Sequence, residues 1–289
     1  MSDTGGFQDL LAIAGQPQQG ERLDQGLAAL FELSRRRIRR AIDEGGVYLN
    51  QKRCRTAGRK LMRGDKLRIV LLEQEKLIPF QPEQLIWQQP PLYLLHKRSG
   101  QYAQEALHRS VGTLPDELAK YLGLPPTASL RPVHRLDRDT SGLMLFSANP
   151  TQLQLLQAHW HTCTHKFYLA VVEPAPEWQT QQINLAIGKL RDKNGRYHVS
   201  DHGRACKTEA EVLERKGNRA LIRLIPHTGR THQLRVHLSA LGCPILGDTR
   251  YGGKAHSRLM LHAQFLSIIP PALAEPVEWN TPPEENWLW

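Results

Sequence analysis

The chain has 289 residues, 40% of them apolar, enough for one large domain or for a large and a small one. Lys and Arg outnumber Asp and Glu by 38 to 28, and a net charge of +10 points to polyanions, with nucleic acid the first partner to consider. Four scattered cysteines (Cys54, Cys163, Cys206, Cys243) exclude a zinc ribbon or a dense disulfide framework, and no apolar run approaches the roughly 20 residues of a spanning helix, so a soluble, cytoplasmic protein without a membrane partner is expected.

Residues 1–19 are Gly- and Gln-rich without periodicity and read as a loose arm. From Leu23 the apolar positions Leu27, Leu30, Phe31 and Leu33 recur at helical spacing, and Ser34 is placed to N-cap a second helix through Ile38 and Ile42, stopped by Gly45-Gly46. Short strands follow at Val47-Tyr48-Leu49 and Leu67 to Val70, so a small α+β module is expected to close near residue 72. Between Glu21 and Val70 there are 14 Lys or Arg against 6 Asp or Glu, a net of +8, which is most of the charge of the whole chain. The second helix turns Ile38, Ala41 and Ile42 inward and offers Arg35, Arg36, Arg37, Arg39 and Arg40 outward, beside a hairpin carrying Lys52, Arg53, Arg55, Arg59 and Lys60. Planar guanidinium forks can bridge phosphate oxygens, which gives affinity without base choice. The bland alternative is a solvated charged face, and the scarcity of neighbouring acids weighs against it.

Residues 73–91 hold four prolines among Glu and Gln and read as a linker. Strand-like runs then occupy 92–95, 143–146, 168–172, 210–213 and 220–225, with helical stretches at 114–122 and 153–159. The mixture predicts an α+β domain over 92–289 built on a mostly antiparallel mixed sheet. Thr231 to Leu241 places Leu234, Leu238 and Leu241 on one helical face, with Gly242 just past the end as a C′ residue.

The segment His134 to Phe146, His-Arg-Leu-Asp-Arg-Asp-Thr-Ser-Gly-Leu-Met-Leu-Phe, is where a site is expected, because a buried structural strand has no use for so many charges. Asp137 lies among Arg131, Arg135 and Arg138, and neighbouring cations keep a carboxylate ionised, fit to act as nucleophile or base. Simple ion pairing is the competing reading. Asp139 opens an Asp-Thr-Ser-Gly run that reads as an Asx turn. His159, His161, Cys163 and His165 alternate as metal ligands on one strand face would, but on a helix end only His161 and His165 align, and no metal site is expected there.

Two resemblances organise these features. Arg22-Leu23-Asp24, Leu33-Ser34-Arg35, the run Ile42 to Asn50 and Gly64-Asp65 resemble the S4 RNA-binding domain over about residues 20–72. His134-Arg135-Leu136-Asp137, Lys166-Phe167-Tyr168, the run His227 to His237, the runs Gly242 to Asp248 and Tyr251-Gly252, and Arg258 to Ala263 resemble, in order, the RluA-type pseudouridine synthases over about residues 90–270. Several ordered motifs are far more specific than one short string.

The resemblance implies an isomerase that rejoins uracil to ribose through carbon, with no metal or redox cofactor, acting on a nucleotide flipped out of folded RNA. It implies Asp137 as the catalytic aspartate, Arg235 as its ion-pair partner, and Tyr168 stacked on the flipped base with a part in proton transfer. Arg135 would fill the gap left in the RNA and Leu261 would line the pocket floor. On the S4 side Arg35, Arg36, Arg39, Arg40, Lys52 and Arg53 would bind RNA, ribosomal RNA being favoured and transfer RNA the alternative, by a monomer needing no protein partner. One departure stands out: a Lys-Pro-x-Gly turn is usual in the family after the first strand, whereas this chain has Lys97-Arg98-Ser99-Gly100, so the adjoining loop is expected to differ in shape. Two rival readings are an RNA N-glycoside hydrolase using Asp137 and Asp139 as a carboxylate pair, and a catalytically silent S4-type RNA-assembly factor.

Overall fold

The structure, a computed structural model, describes residues 7–72, 77–125, 129–190, 196–270, 273–284 and 287. Residues 1–6 of the expected arm and 73–76 of the expected linker lie outside the described residues, while residues 8–13, expected as loose arm, form a strand whose backbone is paired with Lys66–Leu71. The chain divides into two compact units: Met1–Phe80 with Tyr102–Pro126, and Gln81–Gln101 with Thr127–Trp289.

In the first unit the strands β1 (Gln8–Ile13), β2 (Val47–Leu49), β3 (Lys52–Arg53) and β4 (Lys66–Leu71) form an antiparallel sheet in the order β1-β4-β2-β3. Helices α1 (Leu23–Phe31) and α2 (Arg35–Glu44) belong to the same unit. Ser34 caps α2 as its sequence position predicts, accepting the Arg37 N–H at 3.3 Å, and Gly45 ends it at φ 91°. Ile38, Ala41 and Ile42 are buried against Leu23, Leu27, Val47 and Ile69, each isoleucine contributing about 1.5–3 kcal/mol.

The expected helix at 114–122 is present as α3 (Leu114–Tyr121), but it groups with this first unit rather than with the sheet that precedes it in sequence. The Arg53 guanidinium donates to the carbonyls of Gly45 and Ala106, Tyr48 Oη to Leu107 O at 2.9 Å, and Arg55 to Ser110 Oγ at 2.6 Å. Ser110 N–H donates to Glu44 O at 2.8 Å and buried Arg109 pairs with the Glu44 carboxylate at 3.3 Å. Phe80 closes the other side, its N–H donating to Glu117 at 2.6 Å and its ring meeting Tyr121 at 5.4 Å. An insert bonded this densely to the helix and hairpin satisfies its backbone there.

The second unit is a ten-stranded, mostly antiparallel sheet. Its strands are β5 (Leu85–Gln89), β6 (Leu92–Lys97), β7 (Arg131–Pro132), β8 (Ser141–Ser147), β9 (Thr164–Val172), β10 (Thr180–Ile183), β13 (Thr208–Lys216), β14 (Arg219–Pro226), β15 (Leu261–Ile268) and β16 (Val277–Asn280); β11 (Ile187–Lys189) and β12 (Tyr197–Val199) form a separate hairpin. The order is β10-β13-β14-β9-β15-β8-β6-β5, with β7 on β8 and β16 on β15. Residues 85–89, expected inside the linker, are therefore an edge strand; Leu85 and Trp87 pair with Leu95 and Leu94 despite the polar neighbours that suggested irregular chain. Helices α4 (Pro150–His159) and α5 (Gln233–Ala240) cover parts of the sheet. Gly242 at φ 75° completes a Schellman end to α5, with Cys243 N–H on Leu238 O at 3.1 Å and Gly242 N–H on Ser239 O at 3.0 Å.

Strand β8 is buried along its whole length and forms a parallel pair with β15, the one parallel pairing of the sheet among the described residues, with Ser141 and Gly142 opposite His262 and Ala263. Gly142 stands at φ 117°, and a Cβ there would meet the Ala263 carbonyl oxygen at 2.2 Å, so only glycine lets the two backbones close.

Candidate active site

Asp137 lies on the loop that leads into β8, and three devices hold that loop. The Leu145 N–H donates to His134 Nε2 at 3.1 Å, while the His134 ring stacks on Trp160 at 4.5 Å. Burial, with the Lys166 charge second, pushes His134 down to about 3, so the first residue of the motif is a neutral acceptor that pins the loop to its own strand. The Thr140 N–H turns back onto Asp137 O at 3.2 Å.

The third device is the departing turn, Lys97 to Gly100. Lys97 is fully buried at the end of β6 and donates to Arg138 O and Thr140 O at 2.6 Å each and to Arg98 O at 3.1 Å. Three carbonyls match the three donors of an ammonium. Burial pushes Lys97 down to about 7, opposed by the charges of Asp139 and then Asp137. Ser99 Oγ donates to Asp139 O at 2.7 Å and Gly100 N–H to Arg138 O at 2.8 Å. Gly100 at φ 87° closes this turn without the proline of the usual Lys-Pro-x-Gly form. The turn thus grips the backbone on the C-terminal side of Asp137.

Facing this loop, Arg235 on the first turn of α5 joins two carboxylates. Its Nη1 donates to Asp137 Oδ2 at 3.1 Å, while Nε and Nη2 make a bidentate pair with Asp248 at 2.7 and 2.8 Å. Burial works against the guanidinium charge, but the hydrogen bonds and charge of Asp248, followed by Asp137, hold it well above its ordinary value. One cation between two carboxylates leaves the trio net negative, and Asp248 takes the better-formed share. Asp137, its side chain 23% exposed, is therefore oriented by Arg235 without being neutralised.

Tyr168 is half-buried on β9, between Leu224 of β14 and Ala263 of β15. Burial, reinforced by Asp137, pushes its phenol well above the ordinary range, so it serves as an O–H or as a ring face rather than as a phenolate. Leu261 is buried in the same core as Tyr168, at the start of β15. Arg135 is exposed and has no ion-pair partner among the described residues. Asp139 turns away to Arg138 at 2.9 Å, so the two aspartates have separate partners.

On the basic unit, the acids that looked scarce in sequence are present in space. Asp24 is fully buried and receives Arg22 at 3.0 Å, Arg35 at 3.1 Å and Arg39 at 3.0 Å. Desolvation opposes its charge, and the three arginine hydrogen bonds overcome it, holding the carboxyl well below its usual range. Arg40 pairs with Glu44 at 3.0 Å. Arg35, Arg39 and Arg40 nevertheless keep 49, 53 and 63% of their side chains exposed, and with Arg36 they line one shallow depression. Lys52 is exposed, whereas Arg53 is 19% exposed and bonded to the insert, so it is a tie within the unit rather than part of the open face.

Two contributors were not marked as site residues by sequence reasoning. Asp248 sits in Gly247-Asp248, with nothing local to announce its pairing with Arg235; its only signal was its place in the ordered motifs. Lys97 was noticed for the missing proline, not for its own ammonium.

The RNA pseudouridylate synthase family model matches residues 92–240 and the S4 domain model matches residues 21–67. The chain is 32% identical to ribosomal large subunit pseudouridine synthase C of Vibrio vulnificus over 92% of its length and 90% of that protein's. It is 30% identical to ribosomal large subunit pseudouridine synthase D of Pasteurella multocida, covering 92% of this chain and 88% of that one. Among solved structures it is similar to human RNA pseudouridylate synthase domain containing 1, with a TM-score of 0.60 and 28% identity, over 71% of this chain and 86% of that chain. An ordered set of motifs, a sheet that brings them to one carboxylate, and matches along nearly the whole length place the chain in the RNA pseudouridylate synthase family, with an S4 domain at its N-terminal end.

Proposed function

We propose that this isomerase converts uridine to pseudouridine in large-subunit ribosomal RNA, with Asp137 as the reacting carboxylate. The observation that carries the assignment is the shared guanidinium: Arg235 binds one oxygen of Asp137 while Asp248 absorbs most of its charge, leaving the other Asp137 oxygen negative and partly open. The substrate RNA follows from the two bacterial relatives named for the large ribosomal subunit.

The reaction conserves atoms. The bond from ribose C1′ to uracil N1 breaks, the detached ring turns, C5 joins C1′, and the proton lost from C5 is balanced by one gained at N1. The carboxylate acts at the sugar or as the base that starts glycosidic cleavage. Tyr168 offers a ring face and an undissociated O–H, and Arg135, exposed and without an ion-pair partner among the described residues, is free to enter the space a flipped base leaves. The half-exposed arginines of α2 supply phosphate affinity. No helix among the described residues is long and apolar enough to cross a membrane, in keeping with work on ribosomal RNA in the cytoplasm.

The test is pseudouridine mapping in ribosomal and transfer RNA from cells with and without the protein, rescued by wild type or by Asp137→Asn. Loss of a ribosomal RNA site restored only by wild type is expected. Restoration by Asp137→Asn overturns the carboxylate assignment, and a site lost in transfer RNA alone overturns the substrate. Uracil released from RNA would instead favour the hydrolase, a reading weakened by Asp139 pairing with Arg138.

A further inference from the structure

His232, the residue before α5, holds a left-handed backbone at φ 57°, ψ 19°. Such a conformation is strained for a non-glycine residue and persists where the surroundings demand it, histidine being among the side chains that tolerate it best. What the strain secures is an imidazole only 14% exposed, with its two nitrogens facing different partners. Nδ1 lies 2.6 Å from Tyr251 Oη, and Nε2 lies 3.8 Å from Asp137 Oδ1, the oxygen that Arg235 does not hold.

The tautomer follows from the surroundings. Tyr251 Oη accepts the Tyr197 N–H at 3.3 Å, and its own proton finds an acceptor in His232 Nδ1. The ring proton is then on Nε2, toward Asp137. Burial, with the attraction of Asp137 opposing it, pushes the imidazole down to about 4, so the ring carries no charge near neutral pH. Tyr197 and Tyr251 pack edge-on against it at 5.6 and 5.5 Å, and Tyr251 also lies beneath the Arg235 guanidinium at 5.0 Å. A second cation at Oδ1 would quench the carboxylate, whereas a neutral N–H aims it and leaves its charge intact. At 3.8 Å the contact is longer than a hydrogen bond, and a small rotation of Asp137 completes it, as catalytic contacts commonly tighten when substrate arrives.

We propose that His232, locked by Tyr251, is a positioning residue that aims the free oxygen of Asp137 at the flipped nucleotide through a neutral Nε2–H. This rests on Asp137 being the reacting carboxylate. The test uses the full chain and an unmodified large-subunit ribosomal RNA transcript tritiated at uridine C5, reading tritium release in a single turnover, the RNA Kd, and the melting temperature. His232→Gly relieves the backbone strain, so it is expected to melt no lower than wild type, to bind the transcript equally well, and to turn over about ten- to a hundredfold more slowly. Tyr251→Phe is expected to slow turnover likewise at unchanged Kd.

Asp137→Asn runs alongside. If it turns over normally, the carboxylate reading fails; if it is inert while His232→Gly matches wild type, only the positioning role fails. Imidazole ¹⁵N NMR of the free protein supplies a readout independent of the RNA. The Nε2–H tautomer is expected in wild type, and an Nδ1–H wild type overturns the proposal.

Discussion

Replacing Asp248 by Asn keeps the shape of the side chain and removes the charge that Arg235 is built around. Asp248 is 2% exposed and accepts from Nε at 2.7 Å and from Nη2 at 2.8 Å. Hydrogen bonds to charged groups contribute about 1.5–3 kcal/mol each. An amide keeps one of these two acceptors and turns its own N–H₂ toward a guanidinium that can only donate. Breaking one side of a buried ion pair costs about 3–5 kcal/mol, since the stranded charge has no water to return to. For a unit of this size that amounts to a fall in melting temperature of about 6–20 °C. Among the described residues every tryptophan, from Trp87 to Trp287, lies outside the first unit, so tryptophan fluorescence follows the sheet unit. In the double variant Arg235→Met, Asp248→Leu no charge is stranded, and its melt is expected to lie closer to wild type than that of the single variant. If Asp248→Asn melts within a degree of wild type, the shared guanidinium is not the keystone described above.

Two further outcomes are expected. Lys97→Met removes the ammonium from three carbonyls and should lower the tryptophan-monitored melt; it should also flatten its pH dependence. With the folded value pushed from 10.5 down to about 7, the unfolded chain binds a proton the folded chain lacks between those values, so this lysine makes stability rise with pH across that window, and a slope unchanged in Lys97→Met would contradict the burial argument. Asp24 acts with the same sign in a more acidic window: its folded value is depressed, so its stabilisation is present above the ordinary carboxylate range and is lost as pH falls below it. Hydrogen-exchange protection of α1 and α2, taken relative to the intrinsic amide rate at each pH, should fall on acidification below about pH 4 in wild type and change less in Asp24→Asn.

Local chemistry made much of this legible. The apolar spacing and Ser34 located α2 and its inward face, the leucine register and Gly242 located α5, and the charged run around Asp137 marked the loop. What escaped were partners distant along the chain and acceptors without a side-chain signature. Arg235 meets Asp137 across 98 positions, and nothing near Asp248 betrays the pairing. The open face of α2 looked uncompensated because its counter-ion, Asp24, lies on the preceding helix. Lys97 is satisfied by backbone carbonyls, which every residue possesses, and the insert's allegiance to the first unit depends on Arg53 and Arg55 reaching carbonyl and hydroxyl oxygens about 55 residues away.

That allegiance bears on how the chain can be divided, in the laboratory or by descent. The polypeptide leaves the sheet unit after Gln101 and returns at Thr127, so the S4 unit is not a bead that one cut removes. Trimming the N-terminal residues through Phe80 would take the Glu44 carboxylate away from Arg109 and strip Ala106 and Leu107 of the donors on Arg53 and Tyr48. A relative that discards its S4 portion must discard or redesign this insert in the same step, which makes the two segments one heritable part despite their separation in the gene.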